Sequence, residues 1–173
     1  MKKFNLQLFA EAVQGKSIIY LFRVLGETTA ATAMAFTTEN ERSKSKDADV
    51  TATKDGSIRT PGAAEIEISA TAILAKGDDL AARLEAAMDS DTLIEIWEAN
   101  LEDEGDADGT FKGTYYQGYL TEFTLTSSAE EHAEYECTFS INGSGATGDV
   151  TVSAEQQAVA TYVFTDTTAK TGA

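Results

Sequence analysis

A two-residue alternation of apolar and polar side chains runs through most of this chain, and it restricts the fold to one built from half-buried β-strands. Residues 132–142 show it most plainly. Ala133, Tyr135, Cys137, Phe139 and Ile141 alternate there with His132, Glu134, Glu136, Thr138 and Ser140. Residues 64–74 set Ile66, Ile68, Ala70 and Ala72 against Glu65, Glu67, Ser69 and Thr71. In residues 114–126, Tyr119, Thr121, Phe123 and Leu125 fall on one side, which points Tyr119 inward. Residues 92–101 read as a strand despite Glu95 and Glu98, because Leu93, Ile94, Ile96 and Trp97 dominate. Residues 17–25 are almost continuously apolar, as a strand covered on both faces requires. Residues 158–165 close the set, and 33–38 and 148–152 are weaker strands. One helix is predicted over 78–89, with Asp78 as N-cap and Leu80, Leu84 and Met88 on a packing face.

Two connections exceed what a compact domain needs. Residues 39–62 are rich in Lys, Ser, Asp, Thr and Gly and end in Pro61-Gly62; residues 102–113 are acidic and glycine-bearing. Residues 1–14 and 165–173 read as terminal arms. The expected fold is mainly β: a β-sandwich or open barrel of seven to eight strands with one flanking helix, as a single domain over 1–173.

Charge narrows the function. Thirteen basic and twenty-nine acidic residues leave a net −16. That sign opposes wrapping of nucleic acid, whose affinity comes from cations that release counterions from phosphate. The imbalance is local. Residues 1–83 are neutral overall, whereas 84–173 hold eighteen carboxylates against Lys112 and Lys170. Residues 42–59 gather Arg42, Lys44, Lys46, Lys54 and Arg59, with Asp55 among the interleaved acids. Either these are simply solvated surfaces, or the basic segment of one copy meets an acidic face of another and sets register between them.

Catalytic and cofactor constellations are missing from the pattern. A calcium loop beginning at Glu104 places Gly109 correctly but puts Tyr115 where a bidentate Glu belongs, so a hairpin tip is the reading there. His132 lies among Glu130, Glu131 and Glu134 with no nucleophile or second imidazole. Gly143-Ser-Gly145 follows a strand without opening a helix, so it is a turn rather than a phosphate cradle. Cys137, on an apolar face, is read as a buried, inert thiol. No segment reaches the length of a membrane span. Asn5, Gln7 and Glu11 break what Lys2 and Lys3 could begin as an export signal, so a soluble cytoplasmic product is expected.

Several short segments, taken in order, resemble the major tail proteins, or tail tube proteins, of long-tailed bacteriophages of Gram-positive hosts. They are Gly15-Lys16 leading into 17–25, Thr37-Thr38-Glu39 before the polar segment, and Thr53-Lys54-Asp55-Gly56-Ser57-Ile58. Ile94-Glu95-Ile96-Trp97-Glu98, Tyr116-Gln117-Gly118-Tyr119-Leu120, Phe139-Ser140-Ile141-Asn142-Gly143 and Tyr162-Val163-Phe164 continue the series. The opening Phe4-Asn5-Leu6-Gln7-Leu8-Phe9-Ala10 is similar to the starts of several phage structural proteins.

The resemblance implies a non-enzymatic virion protein without cofactor or metal. It implies subunits that form hexameric rings, stacked into a hollow tube along a tape-measure protein, with a tail terminator and distal tail or baseplate proteins as further partners. Phage DNA would pass through the lumen unbound, after assembly in the host cytoplasm. The segment 40–62, with Arg42, Lys44, Lys46, Lys54, Asp55 and Arg59, would make contacts between rings. Glu95, Glu98, Glu122, Glu134 and Glu136 are the candidate lumen carboxylates, with Glu134 and Glu136 sharing a face opposite Tyr135 and Cys137. The rival readings are a surface-binding, carbohydrate-binding or adhesin-like β-sandwich, which wants exposed aromatics such as Tyr115, Tyr116 and Tyr119, and the inner-tube protein of a contractile injection system.

Overall fold

A computed structural model describes residues 12–160. After a 3₁₀ turn at Gly15–Ser17, the strands are β1 (Ile18–Val24), β2 (Thr32–Ala33), β3 (Thr37–Thr53) and β4 (Gly56–Ile73), then β5 (Ile94–Glu104), β6 (Thr110–Thr126), β7 (Glu134–Ile141) and β8 (Ala146–Thr151). Helix α1 spans Leu80–Asp89 and α2 spans Ala154–Ala160. All strand pairs are antiparallel, in the order β2-β1-β5-β6-β7-β4-β3, with β8 also on β6.

β6 turns this single sheet into two layers. Gly118 pairs with Ile94 of β5 on one edge and with Ile141 of β7 on the other, while Tyr115 pairs with Trp97 and with Ala146 of β8. β7 and β8 therefore follow each other along one edge of β6. The first half of β6 belongs to an outer layer with β8, β5, β1 and β2; the second half belongs to an inner layer with β7, β4 and β3. The layers face each other across the core, where the Phe22 ring of β1 stacks on Phe139 of β7 at 5.2 Å, although three places separate those strands in the sheet. Ile68, Ala72, Ile94, Ile96, Tyr135 and Cys137 are fully buried around that pair. The expected β-sandwich with one helix is thus what forms, by folding one sheet over itself.

α1 lies against β6 and β1 and adds Leu80 and Leu84 to this core. Its start departs slightly from expectation. Asp79 holds the N-cap position without a side-chain bond, and Asp78 caps from one residue earlier by accepting the Leu80 N–H at 2.9 Å. Met88 is exposed, and Ala81 and Ala87 complete the buried face instead. A second, smaller core of Leu21, Ala99, Val150 and Val152 lies on the far side of the outer layer. β1 is consequently buried on both faces, as its unbroken apolar run required.

Four expectations are corrected. Residues 39–62 do not form a loop: β3 and β4 make a long hairpin that turns at Lys54-Asp55, with Gly56 at φ +135°. Two-residue alternation persists there: over 39–46 acids and hydroxyls alternate with Arg42, Lys44 and Lys46, and over 47–53 polar residues alternate with Ala48, Val50 and Ala52, but no face of the hairpin is buried. Pro61, which cannot donate to a ladder, stands beside an irregularity between the Lys46 and Ala48 pairings. Tyr119 points outward, 40% exposed, because a bulge between Leu120 and Glu122 shifts the phase of β6. The strand expected over 158–165 fails where it is described: 154–160 is helical, and 161–165 lies outside the described residues. The acidic segment 102–113 resolves into strand ends around a tight connection between β5 and β6, where Lys112 bridges Asp106 and Asp149 at 3.1 and 2.7 Å.

Candidate functional site

Two surfaces stand out, and the register of β3 generates both. Residues that pair across neighbouring strands point to the same face. Glu39, Thr71, Glu136 and Thr124 form one such row, and Glu41, Ser69, Thr138 and Glu122 the next. Ser43, Glu67, Ser140 and Tyr119 make a third, and Ser45 pairs with Glu65. Glu134 stands at the end of the same face, where the Thr38 hydroxyl donates to it at 3.1 Å. The outward face of the inner layer is therefore carboxylates and hydroxyls, and no Lys or Arg occurs in these rows. Tyr135, Cys137 and Phe139 point the other way and are fully buried, so Glu134 and Glu136 do share a face opposite them. Burial pushes the Cys137 thiol up to about 12.

The opposite face of β3 is basic. Arg42, Lys44 and Lys46 pair with Ile68, Ile66 and Ala64 and so project toward the core side. β7 covers β4 only from Ile66 to Ile73, and beyond Ile66 the β3–β4 hairpin continues alone to its turn. Ten residues at about 3.3 Å each make an arm of about 30 Å. Every residue from 41 to 63 is exposed, including Val50 and Ile58. Lys54 and Asp55 form its tip, and Arg59 pairs with Val50 along it. An isolated two-stranded hairpin is marginal in water, so this arm fits a chain that acquires neighbours.

Glu95 and Glu98 stand apart from the acidic face. Glu95, 8% exposed, accepts from Arg23 Nε at 2.7 Å and from the Tyr115 hydroxyl at 2.8 Å. The Arg23 guanidinium holds its carboxyl below the usual range. Arg23 also lies over Trp97 at 5.0 Å. Glu98 accepts from Arg42 Nε at 2.7 Å and from the Tyr20 hydroxyl at 3.0 Å, tying the base of the arm to the outer layer. Arg42 is raised in turn, chiefly by its hydrogen bond to Glu98.

Among the described residues, both long edges of the inner layer lack a strand partner. β3 ends the sheet order, so one side of it has no strand partner among the described residues. β5 leaves β6 at Gly118, so residues 119–126 are open on the side away from β7. The aromatic trio does not gather into a binding platform: Tyr116 is buried, Tyr115 is engaged with Glu95 and Gln117, and Tyr119 stands alone on the acidic face. Among the described residues no group of three or more His, Cys, Asp or Glu side chains is placed to hold a metal. Sequence reasoning missed Glu39, Glu41, Glu65 and Glu67 as members of the acidic face; the alternating charge of residues 39–46 was the signal that could have found the first two.

Comparison with known proteins agrees with this architecture. The family model for phage tail tube proteins matches residues 12–147. A protein of Staphylococcus phage phiMR25 assigned to that phage's tail is 40% identical over 127 residues, which are 72% of this chain and 66% of its own length. The chain thus spans about two thirds of that relative. In fold it is similar to the SPP1 tail tube subunit, with a TM-score of 0.72 and 16% identity over 93% of this chain and 95% of that one. It is also similar to the tail of a gene transfer agent particle refined with C6 symmetry, with a TM-score of 0.61 and 15% identity over 78% and 98% of the two chains. The cap of the anti-feeding prophage tube gives a TM-score of 0.53 and 13% identity over 86% and 100%. Since the family model covers most of a two-layered sheet with open inner edges, this chain belongs to the phage tail tube protein family.

Proposed function

We propose that the chain is the repeating subunit of a phage tail tube, a structural and non-enzymatic protein whose copies close into hexameric rings that stack into a hollow conduit for phage DNA. The observation that carries this reading is the inner layer itself: four strands, open on both edges, with one uniformly anionic face. Joining β3 of each copy to residues 119–126 of β6 in the next closes the layers into a barrel and leaves no edge to aggregate.

In that barrel the carboxylate face lines the lumen. Glu122, Glu134 and Glu136, with Glu39, Glu41, Glu65 and Glu67, repel phosphate and deny it the cations that would hold DNA in transit. Glu95 and Glu98 act instead as ties within the subunit. Lys46, Lys54, Asp55 and Arg59 lie on the arm that reaches toward the neighbouring ring, with Arg42 and Lys44 at its foot. A tape-measure protein, a tail terminator and distal tail or baseplate proteins are the further partners, and the tail of the virion, assembled in the host cytoplasm, is the location. The identity with a phage tail protein favours this over an injection-system tube, whose likeness is one of fold.

Electron microscopy of the purified chain, with and without its tape-measure protein, tests the proposal. Hollow tubes with six-fold end views are expected. A protein that stays monomeric at high concentration in both conditions overturns it.

A further inference from the structure

The arm and the β6–β7 connection lie at opposite ends of the inner layer. β4 runs from the arm's turn at Lys54-Asp55 down to Ile73, and Ile73 pairs with Glu134, where residues 127–133 join β6 to β7. That connection carries Glu130 and Glu131, both exposed, and no Lys or Arg. Nine residues of β4 separate the level of Lys46, paired with Ala64, from this end, which is about 30 Å at 3.3 Å per residue. A subunit therefore cannot bring its own arm to its own connection.

Charge is left unmatched at both ends. Among the described residues, no ion pair engages Lys44, Lys46, Lys54 or Arg59, and none engages Glu130 or Glu131. Neighbouring carboxylates at the lower end are occupied: Asp78 caps α1, Asp79 lies 3.5 Å from Arg83, and Glu134 accepts from Thr38. Among the described residues, Glu130 and Glu131 are exposed and unpaired there, with unpaired Lys76 on the adjoining β4–α1 connection and Glu39 and Glu136 one step further up the sheet.

We infer that the lower, basic side of the arm, Lys44 and Lys46, docks on Glu130 and Glu131 of a second copy of this chain in the adjoining ring. The inference rests on the tube reading and names the site that receives the arm. When rings stack head to tail, the arm end of one meets the connection end of the next, and this is the geometry in which the two unmatched charges come together. It also sets polarity. A ring added upside down would turn its Glu130 and Glu131 away from Lys44 and Lys46 and leave both charge pairs unmatched.

Charge reversal and its repair provide the test. Glu130→Lys with Glu131→Lys, and separately Lys44→Glu with Lys46→Glu, should each abolish long tubes at low salt while the rings and the folded circular dichroism signal persist. Combining all four changes should restore tubes. Raising salt to 1 M, where the Debye length is ~3 Å, should relieve the defect of either pair alone. If both pairs stack normally, or if the fourfold variant is no better than either pair, the inference is overturned although wild-type tubes still support the tube reading. If either reversal prevents ring closure rather than stacking, the arm's partner lies within the ring and the inference is likewise overturned. A wild-type chain that forms no tubes overturns the tube reading itself.

Discussion

Arg42 donates through Nε to Glu98 Oε2 at 2.7 Å and so joins β3, the last strand of the sheet, to β5, four places away in strand order. The contact holds the two layers together at the foot of the arm, and the Tyr20 hydroxyl shares the same carboxylate oxygen. Arg42 is 38% exposed and Glu98 18%, so solvent screens much of the attraction. Arg42→Ala should cost only about 1 kcal/mol in urea denaturation, as measured for partly exposed pairs. Its larger effect should fall on assembly, since an arm freed at its base meets its partner less often. Tube yield from Arg42→Ala and from Arg42→Lys, compared at equal stability, checks this; wild-type yield from the alanine variant would show that the tie has no role in assembly.

Gly118 sits where both edges of β6 are occupied. A Cβ there would approach the Ser140 carbonyl oxygen to 2.5 Å, with the backbone on either side fixed by ladders to β5 and β7. Gly118→Ala should therefore destabilise the fold by about 1–3 kcal/mol, the usual cost of forcing a side chain into packed surroundings. Thermal unfolding measures it, with Gly148→Ala, where nothing lies within 4 Å, as the tolerant comparison.

The stability of the subunit should fall on acidification partly through Glu95. Its folded pKa is lowered, first by the hydrogen bond from Arg23, so its contribution is present above the unfolded value of about 4.3 and is lost as pH falls through the folded value. Glu95→Gln should flatten that part of the acid limb in denaturant midpoints measured from pH 6 to pH 3. An unchanged acid limb would place the pH dependence on other carboxylates.

Cys137 is fully buried, with a thiol pKa pushed up to about 12, chiefly by burial. It should be inert to a disulfide reagent in the native subunit and react at once in denaturant. Reaction with the native protein at the rate of a free thiol would contradict the packing of β7 against the core.

Glu67 and Glu136 both face outward from the inner layer, on β4 and β7. Glu67→Lys with Glu136→Lys should leave folding and tube formation intact but slow DNA release from virions carrying the variant, because cations in the lumen would bind the backbone. Normal release would mean that the acidity of this face serves solubility alone.

Sequence alone determined the strands that bury a face. Tyr135, Cys137 and Phe139 had to point opposite Glu134 and Glu136, and the unbroken run of β1 had to be covered twice, because apolar surface in a strand is stabilised only when both its pattern and its neighbours exclude water. The resemblance carried by the ordered segments supplied the family before any coordinates did. Tertiary structure decided the rest. The charge alternation of 39–46 already sets Glu39 and Glu41 opposite Arg42 and Lys44, but only the ladders through β4, β7 and β6 show that this acidic side continues into Glu136 and Glu122. The phase of Tyr119 depended on a bulge, which local pattern does not mark. Glu95 and Glu98 could be separated from Glu122, Glu134 and Glu136 only once the sheet had folded over itself, since a strand's alternation fixes which residues share a face but not which face meets water.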